Sequence, residues 1–255
     1  MSGIKIIVAT HKEYWMPEDS MYLPIQVGAE GKDYDLGYIK DNTGKNISSK
    51  NANYCELTGL YWAWKNLKAD YVGLAHYRRH FCIKGVKGTK KEKILTTSQV
   101  SDLLKKTDII LPNPRNYYIE TNYSQYAHAH HAIDLDTTRK IIAKKYPEYI
   151  SEFDKSMKST SGHRFNMFIM KRDKFNEYCE WLFTILFELE SRLDISQYNK
   201  NDSRVFGFVS ERLLDVWLNT NNYSYIDIPY IFMEKQNWVV KGTNFIKRKI
   251  GIKGQ

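Results

Sequence analysis

Cysteine is scarce in this chain: Cys55, Cys82 and Cys179 are three residues among 255, and no two form a CxxC pair. That excludes a disulfide scaffold, and a chain of this length can bury enough core to fold without a staple. Free buried thiols in a reducing compartment are the expectation. Long apolar runs are missing as well. The most apolar stretch, Trp181 to Phe187, is interrupted by Thr184, whereas a membrane span needs roughly 20 consecutive apolar residues. The opening residues, MSGIKIIVATHKEYW, hold an apolar run too short for a secretory segment. A cytoplasmic protein without a membrane span is expected.

Several motifs are absent, and each absence removes a class of chemistry. There is no G-x-S-x-G elbow for a serine nucleophile, no G-x-G-x-x-G and no P-loop. No helix-turn-helix, zinc-finger or RNP pattern accompanies the basic charge, which argues against a nucleic-acid partner. No internal repeat and no Pro- or Ser-rich linker divides the chain, so one domain is expected over residues 1–235, followed by a basic tail, 236–255.

What the chain does have is ordinary soluble composition, 42% hydrophobic and 26% charged, with a formal net charge of +9 and 19 tyrosines. The charge suits anions: nucleic acid, a nucleotide-linked substrate or an anionic membrane face. Two segments concentrate it, the five lysines between Lys84 and Lys93 and the five basic residues from Lys241 to Lys253. The first reads as a mobile loop. The second reads either as a solvated tail or as a contact with an anionic leaflet, at about 1 kcal/mol per charge at best.

β-branched apolar runs alternate with helix-period segments. Strands are expected at Ile4 to Ala9, Tyr71 to Ala75, Asp108 to Leu111 (ended by Pro112 and Pro114) and Phe165 to Met170, with an extended stretch from Tyr225 to Met233. Asn53-x-x-Glu56 reads as a capping box opening a helix with Leu57, Leu60, Tyr61, Trp64 and Leu67 on one face. Further helices are expected at 97–106, 134–145, 147–157, 173–193 and 205–219, with an aromatic loop, NYYIETNYSQYAHAHH, between the third strand and the second of these. This alternation predicts an α/β fold with a mostly parallel sheet. Ligands in such sheets bind beyond the C-terminal strand ends, which directs attention to Thr10, His11 and Lys12 and to His76-Tyr77-Arg78-Arg79-His80.

Two arginines and two histidines at the end of a short apolar strand suggest a phosphate site, because a guanidinium fork matches phosphate oxygens. Strand alternation would put His76, Arg78 and His80 on one face and Tyr77 and Arg79 on the other. An arginine tied to a carboxylate under the sheet is the plainer alternative. His128, His130 and His131 invite a metal, but no third ligand type stands at a characteristic spacing. Asp33/Asp35 and Asp134/Asp136 are Asp-x-Asp pairs that could hold a divalent ion, yet the first lies in an early loop and the second at a helix start. Gly207 interrupts a helical pattern and suggests close approach of another group. Glu211, one turn on, is a candidate general base or simply an exposed acid paired with Arg212.

Four segments together, ELTGLYWAWKN (56–66), VGLAHYRRHF (72–81), NMFIMKRDKFNEYCEWLF (166–183) and RVFGFVSERLLDVWL (204–218), resemble a family of bacterial proteins of capsular and exopolysaccharide biosynthesis. That family was long catalogued as a domain of unknown function and is regarded as glycosyltransferases of the GT-A superfamily. The resemblance implies a GT-A-like, Rossmann-like single domain. It also implies transfer of a sugar, with galactose or galactofuranose the first guess, from a UDP-sugar to a lipid-linked oligosaccharide. Thr10, His11 and Lys12 would seat the nucleoside, and His76, Tyr77, Arg78 and Arg79 would neutralise the diphosphate in place of a metal ion. Glu211 would be the base of an inverting reaction, with Asp215 as its substitute. Tyr123, His128 and His131 would meet the acceptor. No cofactor is expected; Mn2+ or Mg2+ is the alternative if the cationic site does not suffice. Residence on the inner membrane face through the basic tail would fit such a role. Competing readings are a non-catalytic basic polysaccharide- or nucleic-acid-binding protein and a metal-dependent hydrolase built on the three histidines.

Overall fold

The computed structural model describes residues 3–85 and 87–234. The basic tail expected at 236–255 lies outside them. In chain order the elements are β1 (Ile4–Thr10), β2 (Tyr22–Gln26), β3 (Ile39–Lys40), α1 (Asn51–Tyr54), α2 (Leu57–Asn66), β4 (Tyr71–His76), β5 (Arg79–Phe81) and α3 (Thr97–Leu104). They continue with β6 (Ile109–Pro112), β7 (Arg115–Asn116), α4 (Asn122–Ala129), α5 (Ala132–Lys145), α6 (Ile150–Lys158), β8 (Ser161–Gly162) and β9 (Phe168–Lys171). The last are α7 (Arg172–Arg192), α8 (Val205–Thr220), β10 (Ile226–Ile228) and β11 (Tyr230–Phe232).

The main sheet runs β10-β6-β9-β4-β1-β2-β3. Pairings β1–β2, β1–β4, β2–β3 and β6–β10 are parallel, while β9 runs antiparallel to both of its neighbours. The mostly parallel α/β sheet expected from the sequence is therefore present, made mixed by β9. Both faces are covered, and the two-residue alternation of the strands decides which side chain enters which layer. Ile7 and Ala9 of β1 pack toward α2, α7 and α8, whereas Ile6 and Val8 pack on the opposite face toward α3. In β9, Phe168 and Met170 join the first layer and Ile169 the second. Burying each such side chain contributes roughly 1.5–3 kcal/mol.

Several boundaries differ from expectation. The capping box at Asn53 and Glu56 does not form. The chain breaks at Cys55 (φ 53°), α2 starts at Leu57 without a side-chain cap, and Asn53 Nδ2 instead donates to the Ser203 carbonyl at 2.7 Å. Part of the aromatic loop is helix α4, opened by a Thr121–Ser124 capping box. A capping box between Thr96 and Gln99 opens α3. The expected strand from Phe165 begins only at Phe168, because Phe165 and Asn166 take positive φ (75° and 54°). Pro112 is the last residue of β6 rather than the first beyond it. The 225–233 stretch divides at Pro229: β10 continues the main sheet beside β6, and β11 turns to pair with β5. In the lysine-rich 84–93 segment, Lys90 Nζ donates to the carbonyls of Phe232 (2.7 Å), Met233 and Glu234.

Candidate functional site

Beyond the C-terminal ends of β1 and β4 lies a cavity of about 630 Å3. Ala9 and His76 are register partners across those two strands, so the ends open side by side. Leaving β4, the chain makes a two-residue turn at Tyr77 and Arg78 and comes back as β5, pairing His76 with Arg79. That turn overrides simple alternation. His76 and Arg79 line the cavity together, as do Tyr77 and Arg78, while His80 is buried beyond them beside Trp15 and Tyr22. The expected grouping of His76, Arg78 and His80 on one face is not formed, because a hairpin, not a continuous strand, carries them.

Arg79 Cζ lies over the rings of Phe165 (4.1 Å) and Phe232 (5.2 Å), cation–π contacts that hold its guanidinium beside the cavity. Its buried Nε has no hydrogen-bond partner among the described residues. His76 is different. Burial first, and Arg79 next, push its pKa down to about 3, so its ring is neutral, with Nε2 2.9 Å from the Phe165 carbonyl, which it faces as a donor. Burial and Arg78 also lower His11, which lines the same cavity and meets Tyr77 edge-on at 5.5 Å. Lys12 Nζ stands 5.4 Å above the Tyr77 ring. Thr10 is fully buried outside the cavity lining and donates to the Lys12 carbonyl at 2.6 Å, so it shapes the loop rather than facing the opening.

The opposite wall comes from α8 and the turn before it. Arg204 reaches Cys55 Sγ at 3.1 Å, and Glu211 reaches the cavity while its Oε2 lies 3.2 Å from Arg212. Gly207 permits the approach, as expected: a Cβ there would sit 3.3 Å from Cys55 Sγ. Asp215, one turn beyond Glu211, is not part of the lining. It accepts from the His163 backbone N–H (3.0 Å) and from His163 Nδ1. His163 Nε2 lies 2.9 Å from Asp227. Burial opposes charge on this ring, but the two carboxylates outweigh it and lift the pKa to about 9.

Sequence reasoning missed the cavity floor. Glu56, read as a cap, lines the cavity and accepts from Asn166 Nδ2 at 2.7 Å; its Oε1 is 3.6 Å from His76 Nε2. Arg115 and Lys200 complete the cationic side. An acid preceding the apolar face of ELTGLYWAW was the available signal. Its carboxylate is buried where a cap would be solvated.

The residues expected to meet an acceptor are elsewhere. Tyr123 donates to Asp136 at 3.0 Å beside a separate groove of about 420 Å3. His128 Nδ1 lies 2.6 Å from Glu120. His131 stacks on Tyr198 at 4.1 Å. None of the three lines the cavity. Nearer to it is His130, stacked on the lining residue Phe208 at 4.2 Å. Asp134 accepts from the hydroxyls of Tyr126 and Tyr198, and Asp35 pairs with Lys40 at 2.9 Å. Among the described residues no three His, Cys, Asp or Glu side chains are grouped to hold a metal ion, and no helix is long and apolar enough to cross a membrane.

Residues 5–222 match the model of a family described as a domain of unknown function, DUF4422. No curated protein matches the sequence. Among solved structures, the apo structure of the bifunctional glycosyltransferase WbbM is similar, with a TM-score of 0.85 and 31% identity, covering 91% of this chain and 46% of that one. The chain thus spans about half the length of that relative.

Proposed function

The chain belongs to the DUF4422 family, and from that premise we propose that it is a glycosyltransferase using a nucleoside diphosphate sugar. The observation that carries this reading is the pairing of chemistries in one cavity. The guanidinium groups of Arg78, Arg79 and Arg204 share it with the carboxylates of Glu56 and Glu211. Cations at a strand-end cavity suit a diphosphate, and a carboxylate within reach of the same space can take a proton from an attacking hydroxyl. The similarity to WbbM supports the same reaction class.

In the proposed reaction the donor's diphosphate lies against Arg79, Arg78 and Arg204. The acceptor hydroxyl oxygen attacks the anomeric carbon and transfers its proton to Glu211. The bond from that carbon to the phosphate oxygen breaks, and its electron pair leaves with the diphosphate. Charge developing on the departing group is met by fixed guanidiniums, which need no reorganisation as it grows. His76, neutral and with its one N–H facing the Phe165 carbonyl, brings no positive charge to this arrangement. A single displacement of this kind inverts the anomeric centre.

The proposal extends to UDP as the nucleotide, galactose or galactofuranose as the sugar and a lipid-linked oligosaccharide of capsule, exopolysaccharide or O-antigen synthesis as the acceptor. It includes metal independence and residence at the inner membrane face. Calorimetric titration with UDP in excess EDTA, then with manganese, tests it. Binding in EDTA supports the arginine site. Binding only with manganese keeps the nucleotide-sugar reading and rejects metal independence. No binding in either condition rejects UDP and leaves another nucleotide or a plain binding role.

A further inference from the structure

The cavity brings both signs of charge together. Its wall is cationic, but its floor holds Glu56, a carboxylate only 9% exposed whose nearest basic group among the described residues is the neutral His76 ring, 3.6 Å away. A buried carboxylate with no direct ion pair to a charged group among the described residues is costly: burial pushes its pKa up, against the hydrogen bond from Asn166 and the longer-range attraction of Arg204 and Arg79. The usual reason for an acid at this point, capping α2, is not met. Asn166 is 4% exposed, and α8 fixes the orientation of its amide: Oδ1 accepts from Ser210 Oγ at 2.8 Å, while Nδ2 donates to Glu56 at 2.7 Å and to the Gly207 carbonyl at 3.2 Å. Positive φ at both Phe165 and Asn166 is strained backbone, and it is this turn that brings the amide to Glu56.

We propose that Glu56, held by Asn166, is the subsite that binds the hydroxyl groups of the transferred sugar. The inference rests on the cavity being a nucleotide-sugar site. A diphosphate would be repelled by this carboxylate and is served by the arginines. Adjacent sugar hydroxyls can each donate to one carboxylate oxygen, supplying the hydrogen bonds that burial denies. Asn166 occupies one lone pair of Oε1, which pins the carboxylate plane and makes the site selective for hydroxyls placed to meet it. A site built to accept hydrogen bonds from particular hydroxyls discriminates against sugars lacking them.

The test is titration of the full chain with UDP and with UDP-galactose, UDP-galactofuranose, UDP-glucose and UDP-N-acetylglucosamine. The quantity read is the ratio of the Kd for UDP to the Kd for the tightest UDP-sugar. In the E56Q protein this ratio should fall to about one while UDP itself binds within about threefold of wild type, since only the sugar's hydrogen bonds are lost. N166A should lower the ratio part of the way, and it serves as the variant of record if E56Q does not fold by thermal melting. An unchanged ratio in the folded variants overturns the subsite. So does equal weakening of UDP and UDP-sugar, or a ratio of one in wild type. Failure of wild type to bind UDP in either EDTA or manganese is a distinct result: it removes the UDP-sugar reading, and the subsite as stated for UDP-sugars falls with it.

Discussion

His76 and Arg79, three residues apart, face each other as register partners across the two-residue turn of β4 and β5. Burial first, and the guanidinium next, keep the imidazole uncharged, so two residues that look alike in a basic HYRR run differ in electrostatic role. Positive charge in the cavity comes from its arginines and Lys200, not from His76.

It follows that R79Q and H76Q behave differently. Loss of a charge-assisted contact typically removes about 1.5–3 kcal/mol, so R79Q should weaken UDP binding by roughly 10- to 100-fold. H76Q keeps a neutral donor and should leave UDP affinity within about threefold. Calorimetry on both proteins checks this; equal losses would show that His76 carries charge after all.

Replacing Glu211 by Gln removes the proposed base while preserving shape. General-base contributions run to about 10²–10⁴ in rate, so transfer should drop by that range with UDP affinity nearly intact. A large loss of UDP affinity in E211Q would reassign the residue to donor binding.

His163 makes stability depend on pH at the alkaline end. Its pKa is about 9 in the folded chain, above the ordinary 6.5, so the folded form binds the proton more tightly. The stabilisation is complete below pH 6.5 and is lost as pH rises through 9, on the order of 3 kcal/mol. Melting temperature should therefore fall between pH 6.5 and 9. H163Q should be less stable at pH 6 and should flatten that slope; an unchanged slope would show that other groups set it.

Gly207 is where α8 meets the Cys55 turn. A valine there overfills the contact and should cost roughly 1–3 kcal/mol by denaturant unfolding. It should also displace the neighbouring Glu56 and weaken UDP-sugar binding. Cys55 lies at φ 53°, a conformation glycine adopts freely. C55G combined with G207V should thus recover both properties, and failure to do so would place the damage elsewhere in α8.

Local pattern was enough for much of the architecture. The β1 run, the α7 and α8 periodicity and the alternation of strands with helices are visible because each is set by a single repeating hydrophobic period. Gly207 was legible for a similar reason, being an exception within such a period. Glu56 was misread because an Asn-x-x-Glu spacing has the same appearance whether the acid turns back to its helix or forward into a cavity. The hairpin at Tyr77 and Arg78 was read as continuing strand because nothing in HYRRH itself demands a turn.

The sequence by itself determined the fold class and the run of cations at the strand ends where the structure has its cavity. Short-range periodicity and strand-end geometry suffice for those. Only the tertiary structure decided which of those cations share a cavity, that His76 is neutral, that Asp215 belongs to a buried His163 network, and that Glu56 and Asn166, 110 residues apart in the chain, meet on one floor. Charge state and contact depend on burial and on partners brought from distant segments, and neither is encoded in local spacing.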